Sequence, residues 1–201
     1  MKKQLLILLV STVILCCSCN VIGSLYPVSS NEKDLIFKKE LIGRWGENEN
    51  SSEYYTVDTA SGQNGKVYKI KSYFKKGENN TDTIRFEANL VLVSGWYFLD
   101  CRIDLENEFK NPDKSLEEFL ISRHFIFRLE FRGTDQFEIV TPDGDEMIKL
   151  IDQKKIIANY AKLKKDDYLI LDKPTILQKA IADSKKYPLL YENKVFLHRL
   201  E

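Results

Sequence analysis

Hydrophobic and polar residues alternate along most of the chain after residue 40, with the period of two that predicts β-strands. The run at residues 124–132 is the clearest, because Phe125, Phe127, Leu129 and Phe131 fall on one face. The other strand-like runs occupy residues 41–45, 53–59, 66–74, 83–93, 96–103, 136–141, 167–171 and 195–200. Short polar turns separate most of them, so consecutive strands are expected to pair antiparallel.

Helices are expected at three places. Residues 115–123 predict a short helix, and residues 144–163 predict helix in part from apolar residues at helical spacing. Residues 175–186 predict a longer helix, in which Thr175 and Gln178 match a capping box. This last helix lies near the C-terminal end of the chain.

The number of strands decides the expected architecture. About seven to nine antiparallel strands with one apolar face have to close or stack, since open sheet edges aggregate. The sequence has no internal repeat of about 20–50 residues, which disfavours a propeller or a solenoid. The sequence therefore predicts a mainly β domain over residues 35–201, folded as a single antiparallel β-barrel with a helix in its C-terminal region.

The first 19 residues have a different character. Two lysines at positions 2 and 3 precede an uncharged run at residues 5–15, which is too short to span a bilayer and long enough for a signal peptide. Cysteines follow directly. A small residue before a cysteine in this setting resembles the lipobox of bacterial lipoproteins. That resemblance implies a diacylglycerol on the cysteine thiol, cleavage just before the cysteine, and an acyl chain such as palmitate on the new amine.

Cys19 is the predicted lipidation site, because it follows the small residue Ser18. Cys17, which follows Cys16, is the alternative, and a plain secretory signal with incidental cysteines is the other. With cleavage after Ser18, residues 1–18 are the signal peptide and residues 19–34 are a lipidated N-terminus and tether. By the same resemblance, Asn20 after the cysteine favours the outer membrane, and the periplasmic face is expected.

The charge balance and the motif content of the chain disfavour several classes of function. The chain has 30 basic and 30 acidic residues, so it lacks the basic excess that nucleic-acid binding requires. His124 and His198 are far apart, and no motif typical of metal, nucleotide or nucleophilic sites occurs after the signal segment. We therefore predict no metal, no cofactor and no catalytic residue, and an enzyme is the weakest hypothesis. Cys101 alternates with apolar neighbours and is expected to be a buried apolar residue.

Gly43-Arg44-Trp45 in the first predicted strand is similar to the G-x-W motif of lipocalins. The resemblance implies that Trp45 plugs the closed end of the barrel and that Arg199 of the last strand lies across it in a cation–π contact. The domain also resembles lipocalin-like lipoproteins of unknown function from Bacteroidetes. The segments that carry this resemblance are residues 41–47, 86–100, 122–131, 173–181 and 196–200.

Aromatic residues on the predicted strands leave two functions open. They either line a cavity for a small apolar ligand or lipid, or fill a solid core in a structural or adaptor lipoprotein that docks to an envelope complex through its outer face. The residues concerned are Phe86, Phe125, Phe127 and Phe131, which are the predicted ligand-lining set, together with Trp96 and Phe98.

Two short segments resemble the O-glycosylation motif of Bacteroidetes periplasmic proteins. They are Asp58-Thr59-Ala60 and Asp82-Thr83-Ile84. Because a three-residue pattern arises often by chance, ordinary loop or strand-start threonines are the favoured interpretation.

Overall fold

The computed structural model describes residues 21–29, 31–49, 51–60, 65–75, 81–104, 123–164 and 167–200. Strands dominate this part of the chain. They are β1 (Val21–Ser24), β2 (Leu35–Ile36), β3 (Gly43–Gly46), β4 (Tyr54–Thr59), β5 (Val67–Lys75), β6 (Thr81–Val93), β7 (Trp96–Ile103), β8 (His124–Phe131), β9 (Gln136–Thr141), β10 (Tyr160–Lys164), β11 (Asp167–Ile170) and β12 (Asn193–Leu200). The α-helices are α1 (Gly144–Asp152) and α2 (Pro174–Ser184), and 3₁₀ helices cover Glu32–Asp34, Lys39–Leu41 and Pro188–Tyr191.

Eight strands close into an antiparallel barrel. The ring follows chain order from β3 to β9, continues to β12, and closes where β12 pairs with β3. Residues 142–192, with both α-helices, form one long connection between β9 and β12. The predicted mainly β fold, a single antiparallel barrel with a helix in the C-terminal region, is confirmed.

A small side sheet branches from the barrel at β8. The C-terminal half of β8 pairs with β9, whereas Phe125 and His124 at its start pair with Gly23 and Ser24 of β1. Strand β1 pairs on its other side with β11 in parallel, and β10 completes the branch as the outermost strand. The start of β8 is therefore the point where the barrel wall continues into a second sheet.

Residues 21–29 belong to the fold, which corrects the predicted tether over residues 19–34. Val28 is fully buried, its N–H donates to Asp100 Oδ2 over 2.7 Å, and its carbonyl accepts from Gln178 Nε2 over 2.9 Å. The serines and glycine of this segment suggested a linker. The backbone groups of Val28 instead find partners on β7 and α2, and β1 pairs with β11, which the local composition does not reveal.

Two predicted helices also need correction. Within the segment 144–163, which was predicted to be helical in part, Gly144–Asp152 form α1, but Tyr160 and Ala161 lie in strand β10. Helix α2 begins with Pro174 after an N-cap at Lys173, so Thr175 is not the cap, and Gln178 holds Val28 instead. The helix predicted at residues 115–123 lies almost entirely outside the described residues.

The hairpin turn at residues 94–95 is confirmed, with positive φ angles of 51° at Ser94 and 83° at Gly95.

Apolar side chains form two separate cores. The inner core fills the barrel, and its buried members are Leu41, Trp45, Val57, Tyr68, Ile70, Ala88, Leu90, Leu99, Cys101, Leu129, Phe137 and Leu197. The outer core lies between the outside of the barrel and the helices, and includes Val28, Val91, Phe98, Val140, Ile148, Leu150, Leu177 and Leu190. Strands β6 to β9 are therefore covered on both faces.

The predicted signal segment, with Ser18 and Cys19, lies outside the described residues. Within the ranges that are described, neither α-helix has the length and apolar content to cross a bilayer.

Candidate functional site

One end of the barrel is closed around Trp45. This side chain is 1% exposed, its Nε1 donates to the carbonyl of Leu41 over 2.8 Å, and its ring meets Phe137 edge-on at 4.6 Å. The guanidinium of Arg199 lies over the indole at 4.4 Å from the ring centre. The structure therefore brings together the two residues that the sequence paired.

Arg199 also connects the chain segments that meet at this end. Its terminal nitrogens donate to the carbonyls of Ile42, Glu40 and Thr134 at 2.8, 2.7 and 3.2 Å. Glu40 lies in the 3₁₀ helix Lys39–Leu41, Ile42 directly follows that helix, and Thr134 lies in the β8–β9 turn. Gly43 is required beside them, because its φ is 143° and a Cβ would collide with Arg199 Nη1.

Lys38 adds a second cation to the closed end, which the sequence did not suggest. Its ammonium lies 4.8 Å from the ring centre of Tyr97 and 4.9 Å from that of Phe131. Its backbone N–H donates to the hydroxyl of Tyr68 over 2.6 Å, and burial raises the pKa of that hydroxyl. A single Lys carries no motif, so only the packing of the segment between β2 and the 3₁₀ helix Lys39–Leu41 over the barrel end reveals this contact.

The four predicted ligand-lining phenylalanines all pack against the inner core, but at different levels. Phe131 belongs to the closed end, 5.4 Å from Tyr97 and 6.2 Å from Phe137 between ring centres. Phe86 lies opposite Ile103, the last residue of β7, and Phe125 is the second residue of β8. Phe86 and Phe125 therefore mark the other end of the barrel, where β7 leaves the wall and β8 enters it.

Phe86, Phe125 and Phe127 retain part of their accessible surface. Their nearest neighbours on the inner face do not, since Ala88 is 1% exposed and Leu90 fully buried. The other two aromatic candidates, Trp96 and Phe98, are excluded from the interior. Both belong to the outer core, because alternate residues of β7 point away from the barrel and the helices cover them.

Cys101 is a buried free thiol in the inner core, which confirms its predicted apolar role. It is 5% exposed. Burial raises the pKa of this thiol well above its ordinary value, and the neighbouring Asp100 carboxylate adds to the effect. The thiol therefore stays protonated and contributes as an apolar group.

The two histidines do not form a site together. His124 Nδ1 lies 2.6 Å from Asp100 Oδ1, and the second oxygen of that carboxylate accepts the Val28 N–H. His198 is on β12, and β9 separates that strand from β8. Among the residues with described positions, no three His, Cys, Asp or Glu side chains are grouped closely enough to hold a metal ion. The Asp100–His124 pair thus has a visible structural use, which is to hold the N-terminal segment.

The outer face of β8 carries a buried cation rather than a solvated one. Arg128 is 6% exposed, between the rings of Trp96 and Tyr191 at 4.4 and 4.6 Å from their centres. Its guanidinium also pairs with Glu130. The sequence alternates apolar and charged residues along β8, and the cover provided by residues 142–192 cannot be read from that pattern.

The two threonines of the glycosylation-like motifs are strand residues. Thr59 ends β4, and Thr83 is the third residue of β6, where its N–H bonds to Asp82 Oδ1 at 2.9 Å. Neither lies at the tip of a described loop.

In comparisons with known proteins, no family model, no curated protein and no solved structure matches this chain.

Proposed function

We propose that this protein is a lipid-anchored lipoprotein of the bacterial envelope whose barrel binds a small apolar ligand or lipid. The observation that carries the proposal is the difference between the two barrel ends. Trp45 and Arg199 seal one end, whereas Phe86, Phe125 and Phe127, which pack against the inner core toward the other end, are only partly buried. Accessible aromatic rings inside a closed wall are what a bound apolar molecule covers.

The size and chemistry of the wall fit such a ligand. An eight-stranded barrel is wide enough to hold one small molecule when its side chains leave room. The buried inner core consists of apolar side chains, with the hydroxyl of Tyr68 bonded to Lys38 and the thiol of Cys101 protonated. Away from Lys38 at the closed end, a charged ligand group would lose its hydration without a partner, which costs several kcal/mol. An acyl chain or another hydrocarbon group has no such cost.

Ligand binding is tested with the mature protein and cis-parinaric acid, a fluorescent fatty acid. We expect the wild-type chain to enhance its fluorescence and the Phe125→Arg variant to lose this, because the guanidinium would enter the apolar interior. Phe196→Arg is the matched control, since Phe196 is 52% exposed on the outside of β12. Circular dichroism verifies that both variants fold.

Two results together would contradict the ligand proposal. They are a wild-type protein that leaves the probe unbound and a native mass spectrum with no copurified small molecule. The structural or adaptor hypothesis would then stand, and crosslinking in cells should trap one dominant envelope partner.

The anchor is tested independently of the ligand. Cys19→Ala is expected to release the protein from the membrane fraction and to abolish incorporation of labelled palmitate, because the acyl chains are its attachment. Cys17→Ala is the matched control and should leave both unchanged. Retention of the Cys19→Ala protein with Cys17→Ala released would move the anchor to Cys17, and retention of both would contradict lipid anchoring at either cysteine.

A further inference from the structure

The helices leave the outer wall of β3, β4 and β5 uncovered. The outer core, which lies between the helices and the barrel, contains buried residues of β6, β7 and β9 but none of these three strands. Arg44 on β3 and Lys71 on β5 are exposed, and Tyr54, Thr56 and Tyr73 between and beside them are half-buried. Over the part of the chain that the structure describes, this side of the barrel therefore faces solvent.

Five side chains form two rows on this wall, which we call the cationic array. In the first row Thr56 pairs with Arg44 on one side and with Lys71 on the other. In the second row Tyr54 pairs with Tyr73. Directly paired residues place their side chains on the same face of a sheet, and so do residues two apart in one strand. The five side chains are therefore neighbours on one surface.

Three planar groups of the cationic array are stacked. The guanidinium of Arg44 lies 3.9 Å from the ring centre of Tyr54. That ring in turn stacks on Tyr73, with 4.5 Å between the centres and 13° between the planes. A guanidinium that lies on an aromatic face keeps its N–H donors, because they point outward in its own plane. The stack holds Arg44 in one orientation, which lowers the entropy cost of a bidentate bond to an oxyanion.

The positive charge of the cationic array is not neutralised locally. Among the described residues, neither Arg44 nor Lys71 has an acidic partner at ion-pair distance. The next row along the strands is balanced, since it contains two acidic and two basic side chains. Its members are Asp58, Lys69, Glu87 and Arg102. A chain with no net charge thus concentrates unpaired cations at one place on its surface.

We propose that the cationic array binds an acidic polysaccharide. Carboxylate or sulfate groups of the polymer accept hydrogen bonds from Arg44 and Lys71, and the hydroxyls of Thr56, Tyr54 and Tyr73 bond to its sugar hydroxyls. This inference goes beyond the proposed barrel ligand and does not depend on it, because the array lies on the outside of the wall.

Spacing and composition favour a polymer of this class. Arg44 and Lys71 stand two strands apart, which separates their backbones by about 10 Å. Successive charged units of one polymer reach both cations, whereas a single small anion contacts one. The centre of a protein–protein interface is more apolar than this surface, which has no aliphatic member. The array therefore fits a hydrated polyanion better than a folded protein.

The test measures binding of a fluorescein-labelled alginate oligosaccharide, a chain of carboxylated sugars, to the mature protein by fluorescence anisotropy. We expect Arg44→Ala to weaken binding about tenfold, as follows from the loss of charge-assisted hydrogen bonds. Tyr54→Ala should also weaken binding, although it leaves every charge in place. Lys155→Ala removes an exposed cation on the connection between α1 and β10, and as the matched control it should bind like wild type. Circular dichroism verifies that the variants fold.

Labelled poly-L-glutamate and polyphosphate represent polyanions of other classes. The assignment to an acidic polysaccharide is overturned if alginate does not bind, or if either of these polymers binds more tightly than alginate. Equal weakening by Arg44→Ala and Lys155→Ala, with no effect of Tyr54→Ala, would show attraction by charge alone and would overturn the site. Binding of cis-parinaric acid tests the barrel ligand separately, so the two proposals fail independently.

Discussion

The guanidinium of Arg199, on the last strand of the barrel, lies 4.4 Å from the indole centre of Trp45 on the first. The two residues are also direct partners in the pairing of β12 with β3. The contact therefore joins the strands whose pairing closes the ring, and it does so at the end covered by the 3₁₀ helix Lys39–Leu41. Closure and capping of the barrel depend on the same side chain.

Replacement of Arg199 by Ala is expected to lower the free energy of unfolding by about 1–2 kcal/mol, from the lost cation–π contact and the lost bonds to backbone carbonyls. Arg199→Lys should recover only part, because an ammonium cannot reach Ile42, Glu40 and Thr134 at once. Urea denaturation measures both, with Lys71→Ala on an exposed position of β5 as the control. Equal stability of Arg199→Ala and wild type would show that the closed end does not depend on this residue.

Gly43→Ala is expected to destabilise the fold more than Gly95→Ala. Both glycines have positive φ, at 143° and 83°, and a side chain there costs about 1–3 kcal/mol of strain. Only at Gly43 would the added Cβ also displace Arg199, since Gly95 has open space around it. Thermal unfolding of the two variants compares them. A larger loss at Gly95 would mean that the approach of Arg199 to Gly43 is not a constraint.

Asp100→Ala is expected to release the N-terminal segment from the barrel. The Val28 N–H, which is buried against the carboxylate, would lose its acceptor at a cost of about 1–3 kcal/mol. Hydrogen–deuterium exchange at Val28 should therefore accelerate strongly in this variant. Asp100→Asn keeps an acceptor oxygen and should exchange more slowly than Asp100→Ala. Unchanged protection of Val28 in the alanine variant would contradict this latch.

The Cys101 thiol is expected to resist alkylation in the folded protein. Burial raises its pKa, so the thiolate that reacts with iodoacetamide is scarce at neutral pH, and the thiol is also inaccessible. Mass spectrometry should show slow modification under native conditions and rapid modification in urea. Leu163→Cys supplies an exposed thiol as the control. Equally fast reaction of both thiols in the native protein would place Cys101 in contact with solvent.

Glu87 is expected to give a stabilising contribution that disappears in acid. A hydrogen bond from Lys69, reinforced by Arg102, lowers the pKa of this carboxyl below its ordinary value of 4.5. Its contribution is therefore complete above pH 4.5 and is lost as the pH falls through the lowered pKa. Glu87→Gln should cost about 0.5–1 kcal/mol at pH 7 and nothing once the carboxyl is protonated. Urea denaturation from pH 7 to pH 2, with Glu53→Gln as the exposed control, checks this, and a cost independent of pH would contradict it.

Alternation of apolar residues predicted most of the barrel from the sequence. Strands β7 and β9 have the predicted bounds, and the turn between β6 and β7 was evident from Ser94-Gly95. The same reasoning failed for residues 160–164. The apolar positions there fit a helix as well as a strand, and hydrogen bonding to β11 stabilises the strand. Trp96 and Phe98 were assigned to the interior because the sequence does not show that the outside of β7 is also covered.

By itself, the sequence determined that a β-sheet with one strongly apolar face follows an uncharged apolar run at residues 5–15, because both are local patterns with a fixed period or length. Tertiary structure alone decided that residues 21–29 pack as part of the domain and that Lys38 caps the aromatic rings of one barrel end. It also decided that the inner face extends from Phe125 to Leu169. These features depend on contacts between residues that are distant in the chain. A local sequence pattern does not show which distant residues come into contact, so it cannot predict how these contacts stabilise the fold.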